Sequence, residues 1–117
     1  MENRIFYIAG VKHHQAEQVA DKLTEGIELV LVAEPENKFN SNALAIYYEE
    51  EIIGGFTDGD IKKTKLGYVP DKIANELAAE WEMAGEGSPE DCVIFLVASD
   101  QSKPTYERYK VLLINIW

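Results

Sequence analysis

The sequence predicts a small α+β domain, mainly antiparallel strands forming a barrel, with two helices beside them. Three observations predict it. Short runs of β-branched and aromatic residues recur at close spacing, acidic or Gly-containing turns separate them, and only two segments carry helical apolar periodicity. With 117 residues, 46% of them hydrophobic, the chain suffices for one domain, residues 1–117, that buries about two thirds of the surface its unfolded form exposes.

Residues 4–11 (RIFYIAGV) read as the first strand, since they combine β-branched and aromatic side chains and end at Gly10 and Lys12. A helix follows in QAEQVADKLTEG, where Ala16, Val19, Ala20 and Leu23 fall at i, i+3, i+4 and i+7 and Gly26 supplies the stop. Residues 27–33 (IELVLVA) alternate Ile27, Leu29 and Leu31 on one face with Val30 and Val32 on the other, and Glu34-Pro35 ends that strand. Residues 43–48 (ALAIYY) and 51–56 (EIIGGF) read as a pair joined at a Glu49-Glu50 turn. TDGDIKK is a second turn that pivots on Asp-Gly.

Residues 65–69 (KLGYV) form a short strand. Pro70-Asp71 then opens the second helix, with Ile73, Leu77 and Trp81 as an i, i+4, i+8 stripe and Gly85 as its stop. Residues 92–99 (CVIFLVAS) and 106–116 (YERYKVLLINI) complete a set of roughly seven strands across a polar DQSKP connection. The GEGSP segment is a loop inside the domain, because the strands after it are needed to complete the sheet.

The net charge is −10, from 21 acidic and 11 basic residues, and on its own it argues against a polyanionic partner. The charges are unevenly placed. Glu76, Glu80, Glu82, Glu86, Glu90 and Asp91 follow one another with no base between them, whereas Lys62, Lys63, Lys65 and Lys72 bracket LGYVPD. At physiological salt the Debye length is about 8 Å, so a local basic patch acts while distant acids are screened. A solvated surface is the competing reading of either run.

The single cysteine, Cys92, excludes an internal disulfide and any Cys-rich zinc site, and it suits a reducing, cytoplasmic setting. No signal peptide is expected, because Glu-Asn-Arg follows Met1, and no apolar run approaches the roughly 20 residues of a membrane helix. Catalytic patterns come up empty: there is no phosphate-cradling Gly-rich loop and no Ser or Cys in a nucleophile setting, so no enzyme and no cofactor are expected. Glu34 and Glu36 lack a partner nucleophile for acid/base work. The side chains of His13 and His14 diverge, and even with Glu17 they fall short of the four ligands of a closed zinc site, so no metal is expected. Cys92 reads as a small buried hydrophobe, and Asp58-Gly59-Asp60 as an acidic turn.

Phe39 is different. It stands alone among the polar, charged and Pro residues of EPENKFNSN, where a surface loop leaves it either to tuck into the core or to meet something flat. Three segments, FYIAGV (residues 6–11), LVAEPENKFNSNALAI (31–46) and LGYVPDKIANELA (66–78), together resemble the HIRAN domain. The family pattern in the middle segment is roughly Glu-Pro-x-Asn-Pro-Tyr-Asp-x-Asn-Ala-Ile, and Glu34, Pro35, Asn37, Asn42 and Ala43 match it outright.

The resemblance implies an OB or SH3-like barrel and a non-catalytic module that holds the 3′ end of single-stranded DNA. It also implies the setting of DNA repair, since the family includes domains of ATPases acting at stalled replication forks. By the same resemblance Tyr7 and Phe39 are the stacking aromatics, facing each other across a groove. Asn40 stands where the family has an aspartate that bonds the terminal hydroxyl, Lys38 replaces a loop proline, and Tyr68 takes the place of a polar contact. Phe6 occupies the position of a helpful arginine, so Arg4 or Lys12 would substitute. Asn37, Lys65 and Lys72 complete the expected DNA-binding set, with Lys62 and Lys63 as further phosphate partners.

Stacking contributes about 1 to 3 kcal/mol per base, so two rings supply roughly 2 to 6 kcal/mol and weak binding is expected. Each residue has a competing structural role. Tyr7 alternates with core positions, Phe39 can pack under its own loop, and Asn37, Asn40 and Asn42 can hold the turn. The alternative function is a protein-interaction module of the same fold, in which the acidic helix from Lys72 docks a basic partner without DNA binding.

Overall fold

The computed structural model describes residues 2–51 and 59–115. Six strands form the sheet: β1 (Glu2–Tyr7), β2 (Glu28–Ala33), β3 (Leu44–Glu51), β4 (Ile61–Tyr68), β5 (Cys92–Ser99) and β6 (Tyr109–Asn115). They lie in the order β1-β6-β5-β2-β3-β4, and every neighbouring pair is antiparallel. One α-helix, α1 (Asp71–Ala84), and a 3-10 segment (Ala16–Lys22) take the places of the two expected helices. The α+β, mainly antiparallel class is as the sequence implies.

The sheet is not closed into a barrel. β1 and β4 end it, and they meet only beyond β1, where Ala9 and Tyr68 exchange two N–H···O bonds of 2.8 Å. Continuing that antiparallel register would set Val11 opposite Leu66 and Tyr7 opposite Pro70. Neither pair forms a ladder. Gly10, at φ 71°, turns the chain into a 3-10 turn at Val11–His13, and Pro70 has no N–H to give. The first strand accordingly stops at Tyr7 rather than Val11.

The expected Glu49-Glu50 turn is a correction of the same kind, for both residues lie inside β3. They sit directly opposite Lys63 and Lys62 of β4, and opposite charges across an antiparallel pair favour extension. The strand expected at 51–56 lies outside the described residues after Glu51, and the lysines assigned to the following turn belong to β4. Tyr106 of the expected last strand falls in a 3-10 turn (Thr105–Glu107) instead.

The core lies on the face carrying Phe6 and Ile8, Leu29, Leu44 and Ile46, Leu66, Ile94 and Leu96, and Tyr109, Val111 and Leu113. Leu77 and Ala74 of α1 close it on one side, Val19 and Leu23 on another. Each large aliphatic side chain buried in this way contributes about 1.5 to 3 kcal/mol. Arg4 of β1 fastens α1 at the edge of the core, donating to Glu76 Oε1 at 2.8 Å and to Glu80 Oε1 at 2.6 Å.

The 3-10 segment keeps the predicted burial of Ala16, Val19 and Leu23 without being an α-helix. Its backbone kinks at Val19, where φ is −124°. Gln15 N–H donates to Lys65 O before it and Gly26 N–H to Leu96 O after it, so the span is pinned at both ends to strands. An i, i+3 pair such as Ala16 and Val19 shares a face in either helix type, so periodicity over two turns does not separate them.

A bulge in β4 positions the site. Ile46 pairs with Gly67 but Tyr47 pairs with Lys65, which leaves Leu66 as the extra residue. The insertion reverses the alternation of side chains, so Lys65 and Tyr68 emerge on the same face.

Candidate nucleic-acid interface

The loop between β2 and β3 is built by its asparagines. Asn37 Oδ1 accepts the N–H groups of Phe39 at 2.9 Å and Asn40 at 3.2 Å, while Asn37 Nδ2 donates to Glu34 Oε1 at 3.1 Å. Asn40 Oδ1 accepts Asn42 N–H at 2.9 Å. The loop is then tied to α1, because Asn40 Nδ2 donates to Asp71 Oδ1 at 3.2 Å and to Asn75 Oδ1 at 3.1 Å, and Asn42 Nδ2 donates to Asn75 Oδ1 at 3.2 Å. Short amide side chains that bond their own backbone make such a turn stiff.

This scaffold holds Phe39 outward. Its ring is 92% exposed, the most exposed of the large hydrophobic side chains described. Packing beneath its own loop is thereby excluded for Phe39. Phe39 lines a pocket of about 760 Å³. Ala9, Gly10, His13, His14 and Tyr68 share its lining with Asp71 and Asn40, which are bonded to each other. His14 and Tyr68 meet edge to face, ring centroids 5.3 Å apart at 65°.

Tyr68 is fixed from behind. Its hydroxyl accepts from Lys65 Nζ at 2.8 Å and donates to Glu34 Oε1 at 2.8 Å, and Lys65 Nζ pairs with Glu34 Oε2 at 2.5 Å. Burial works against both charges, yet the hydrogen bonds outweigh it: those from Lys65, Asn37 and Tyr68 hold the Glu34 carboxyl below its ordinary value, and those to Glu34 and Tyr68 hold the Lys65 ammonium above its own. At His14 burial comes first and lowers the imidazole, the Lys65 and His13 charges add to that, and Glu34 opposes them. His14 is therefore a neutral imidazole at neutral pH.

The residues singled out in the sequence divide between two places. Asn37, Lys38, Phe39, Asn40 and Tyr68 line the pocket, and Lys65 supports it through Tyr68. Tyr7 and Lys72 are not among its lining residues. Tyr7 lies on the sheet face opposite Phe6 and Ile8, 39% exposed, with Lys110 Nζ 5.3 Å from its ring centroid. The second phenyl or phenol ring in the lining beside Phe39 is that of Tyr68, and the chain past β1 contributes Ala9, Gly10, His13 and His14.

Nor do lysines ring the groove. Lys63 pairs with Glu49 at 3.5 Å, Lys62 lies opposite Glu50, and Lys65 is taken by Glu34. Lys38 shares the lining with Glu36 and Asp71, which makes the site one of mixed charge. Phe6 is buried, and Arg4 is engaged by α1. That engagement also takes Glu76 and Glu80 from the acidic helix face.

Sequence reading missed His13 and His14 as pocket walls, and Asp71 and Asn75 as partners of the loop. Pro70-Asp71 marked a helix start, but its distance of 31 residues from Asn40 left the contact invisible. Among the described residues no group of three or more His, Cys, Asp or Glu is placed to hold a metal, and no helix is long and apolar enough to cross a membrane.

The family model of the HIRAN domain matches residues 2–111, nearly the whole chain. No curated protein and no solved structure matches the chain.

Proposed function

The chain belongs to the HIRAN domain family, generally a nucleic-acid-binding module, and on that premise we propose that it holds the 3′ end of a single DNA strand in the pocket that Phe39 and Tyr68 line. One observation carries this reading: a loop stiffened by three asparagines presents to solvent a phenylalanine that lines a pocket. Keeping a ring out of the core forgoes about 1.5 to 3 kcal/mol of burial, a cost that stacking on a base offsets. The terminal base lies against Phe39, its sugar reaches Asn40 and Asp71, and Lys38 meets the adjoining phosphate.

The module acts by binding alone, without chemistry of its own, in a cytoplasmic setting and in the service of DNA repair. The two-bond bridge from Ala9 to Tyr68 supports the finer description of the sheet as a partly open barrel of the OB kind. Mixed charge in the pocket and a net charge of −10 keep the affinity low and confine it to a strand end, since a longer strand meets repulsion.

Anisotropy titration of labelled single strands and blunt duplexes, at low and moderate salt, tests the proposal. Single strands are expected to bind and duplexes not, with affinity falling as salt rises. Phe39→Ala and Lys38→Glu should each weaken binding, the first by about 1 to 3 kcal/mol. Equal binding of the duplex, or none by either nucleic acid, overturns it.

A further inference from the structure

The uncharged polar side chains that line the pocket differ in what they have left to offer. The Tyr68 hydroxyl accepts from Lys65 and donates to Glu34, the Asn40 amide gives its hydrogens to Asp71 and Asn75, and the Asn37 amide oxygen takes two loop N–H groups. His14 keeps its capacity. Among the described residues neither of its ring nitrogens makes a hydrogen bond, and neither is sealed from solvent. The half-buried ring is nevertheless held in place: it meets Tyr68 edge to face, His14 N–H donates to Val11 O at 3.1 Å, and Gln15 N–H ties the next residue to Lys65 O at 3.1 Å. His13 shares the lining but is exposed, with no such ring contact among the described residues.

Gly10 opens a niche beside this ring. A Cβ atom on Gly10 would lie 3.8 Å from Tyr68 Cδ2 and 4.0 Å from both Cδ2 and Nε2 of His14, so its lack of a side chain leaves space bounded by the two rings. A φ of 71° favours glycine there and keeps that space open. A ligand atom in the niche touches Nε2. The imidazole it meets is held neutral by burial and by the Lys65 charge, and no partner at Nδ1 fixes its tautomer, so Nε2 can donate or accept. The edge of a nucleobase carries donors and acceptors side by side, whereas a phosphodiester offers acceptors alone.

We infer that His14 is a specificity-determining residue of the pocket: its Nε2 hydrogen-bonds the polar edge of the terminal base whose face stacks on Phe39. The inference rests on the strand-end reading above and adds recognition of the edge of the base to contact with its face. Stacking accepts any flat ring, because every base has a π-face. A bond to Nε2 accepts only a ring with a donor or acceptor at its edge.

Strands that end in thymidine or in its difluorotoluene isostere, which keeps the shape and the stacking face but barely hydrogen-bonds, separate the two contacts. The unaltered chain should bind the thymidine end about three- to tenfold more tightly, and the His14 ring resonances should shift further with it than with the isostere. His14→Phe keeps a ring against Tyr68 and removes both nitrogens, so it should bind the two ends alike. His14→Gln restores a donor and an acceptor and should regain part of the preference. A preference undiminished in His14→Phe, or absent from the unaltered chain, overturns the role of His14 and leaves the strand-end reading standing. Failure of the unaltered chain to bind either strand overturns both.

Discussion

A Cβ atom added to Gly67 would collide with the carbonyl oxygen of Ala9 and lie 2.7 Å from Ile8 Cγ2. These two segments are joined by the Ala9–Tyr68 bridge, both of whose residues line the pocket, so the absence of a side chain at Gly67 is what lets the strands approach. The obstacle is backbone, which a rotamer change does not relieve. Gly67→Ala is expected to destabilise the fold by about 1 to 3 kcal/mol, seen as a lower urea midpoint, and to weaken strand-end binding with it. Unchanged stability would mean that the two segments separate freely.

Asn37 and Phe39 are neighbours with opposite expected effects. Asn37→Ala removes the acceptor for two loop N–H groups and should cost about 1 kcal/mol of stability. Phe39→Ala removes a ring that touches solvent and should leave the unfolding free energy from urea titration within about 0.5 kcal/mol of the original. Loss of stability in Phe39→Ala would show that the ring packs rather than waits.

Acid and base should act on the pocket wall with defined signs. His14 and Glu34 have folded values below their ordinary 6.5 and 4.5. Their share of stability is complete above those values and lost as pH falls through the lower folded ones. The folded value of Lys65 is raised, so its share is complete below 10.5 and lost as pH climbs beyond it. Burial, with Asp91 and Glu80 beside it, pushes the Cys92 thiol up to about 11, so its share is complete below 9 and lost as pH climbs beyond it. Melting temperature should therefore be level between about pH 6.5 and 9 and fall on either side, and His14→Gln should remove the first step of the acid limb. An acid limb unchanged in that variant would assign the step elsewhere.

Protonating His14 also adds a cation to the pocket. Strand-end affinity should rise as pH drops below 6.5, in the same range where stability begins to fall, and His14→Gln should flatten that rise. Affinity that stays constant as pH is lowered from about 7 until the acid limb of unfolding is reached would exclude His14 from the strand's surroundings.

Arg4 is 17% exposed and bonded to two carboxylates of α1. Arg4→Met keeps the apolar stem and removes both bonds, while Glu76 and Glu80 can turn to water. A loss of about 1 to 2 kcal/mol is expected, with faster amide exchange along α1. Exchange unchanged in α1 would show that its apolar stripe holds the helix unaided.

Local chemistry made much of this protein legible in advance. The β5 strand has the bounds its composition implied, α1 runs from Asp71 to its stop at Gly85, and the family pattern around Asn37 marked the loop that carries Phe39. These features depend on neighbours in sequence: side-chain branching, apolar spacing, a proline, a glycine. The misread turn at Glu49-Glu50 shows the limit of such reading, since two acids in a row look like a turn until Lys62 and Lys63 lie opposite them.

Which residues share the pocket was decided by tertiary structure alone. The bulge at Leu66 sets Tyr68 and Lys65 on one face, Gly10 ends β1 and leaves Tyr7 outside the pocket, and α1 brings Asp71 to Asn40. The physical reason is that a sequence specifies the conformation of each short segment through contacts a few residues apart. The sign and partner of a charge, by contrast, depend on what the folded chain sets beside it, and here that is Glu34 against Lys65 and Asp71 against a loop amide 31 residues away.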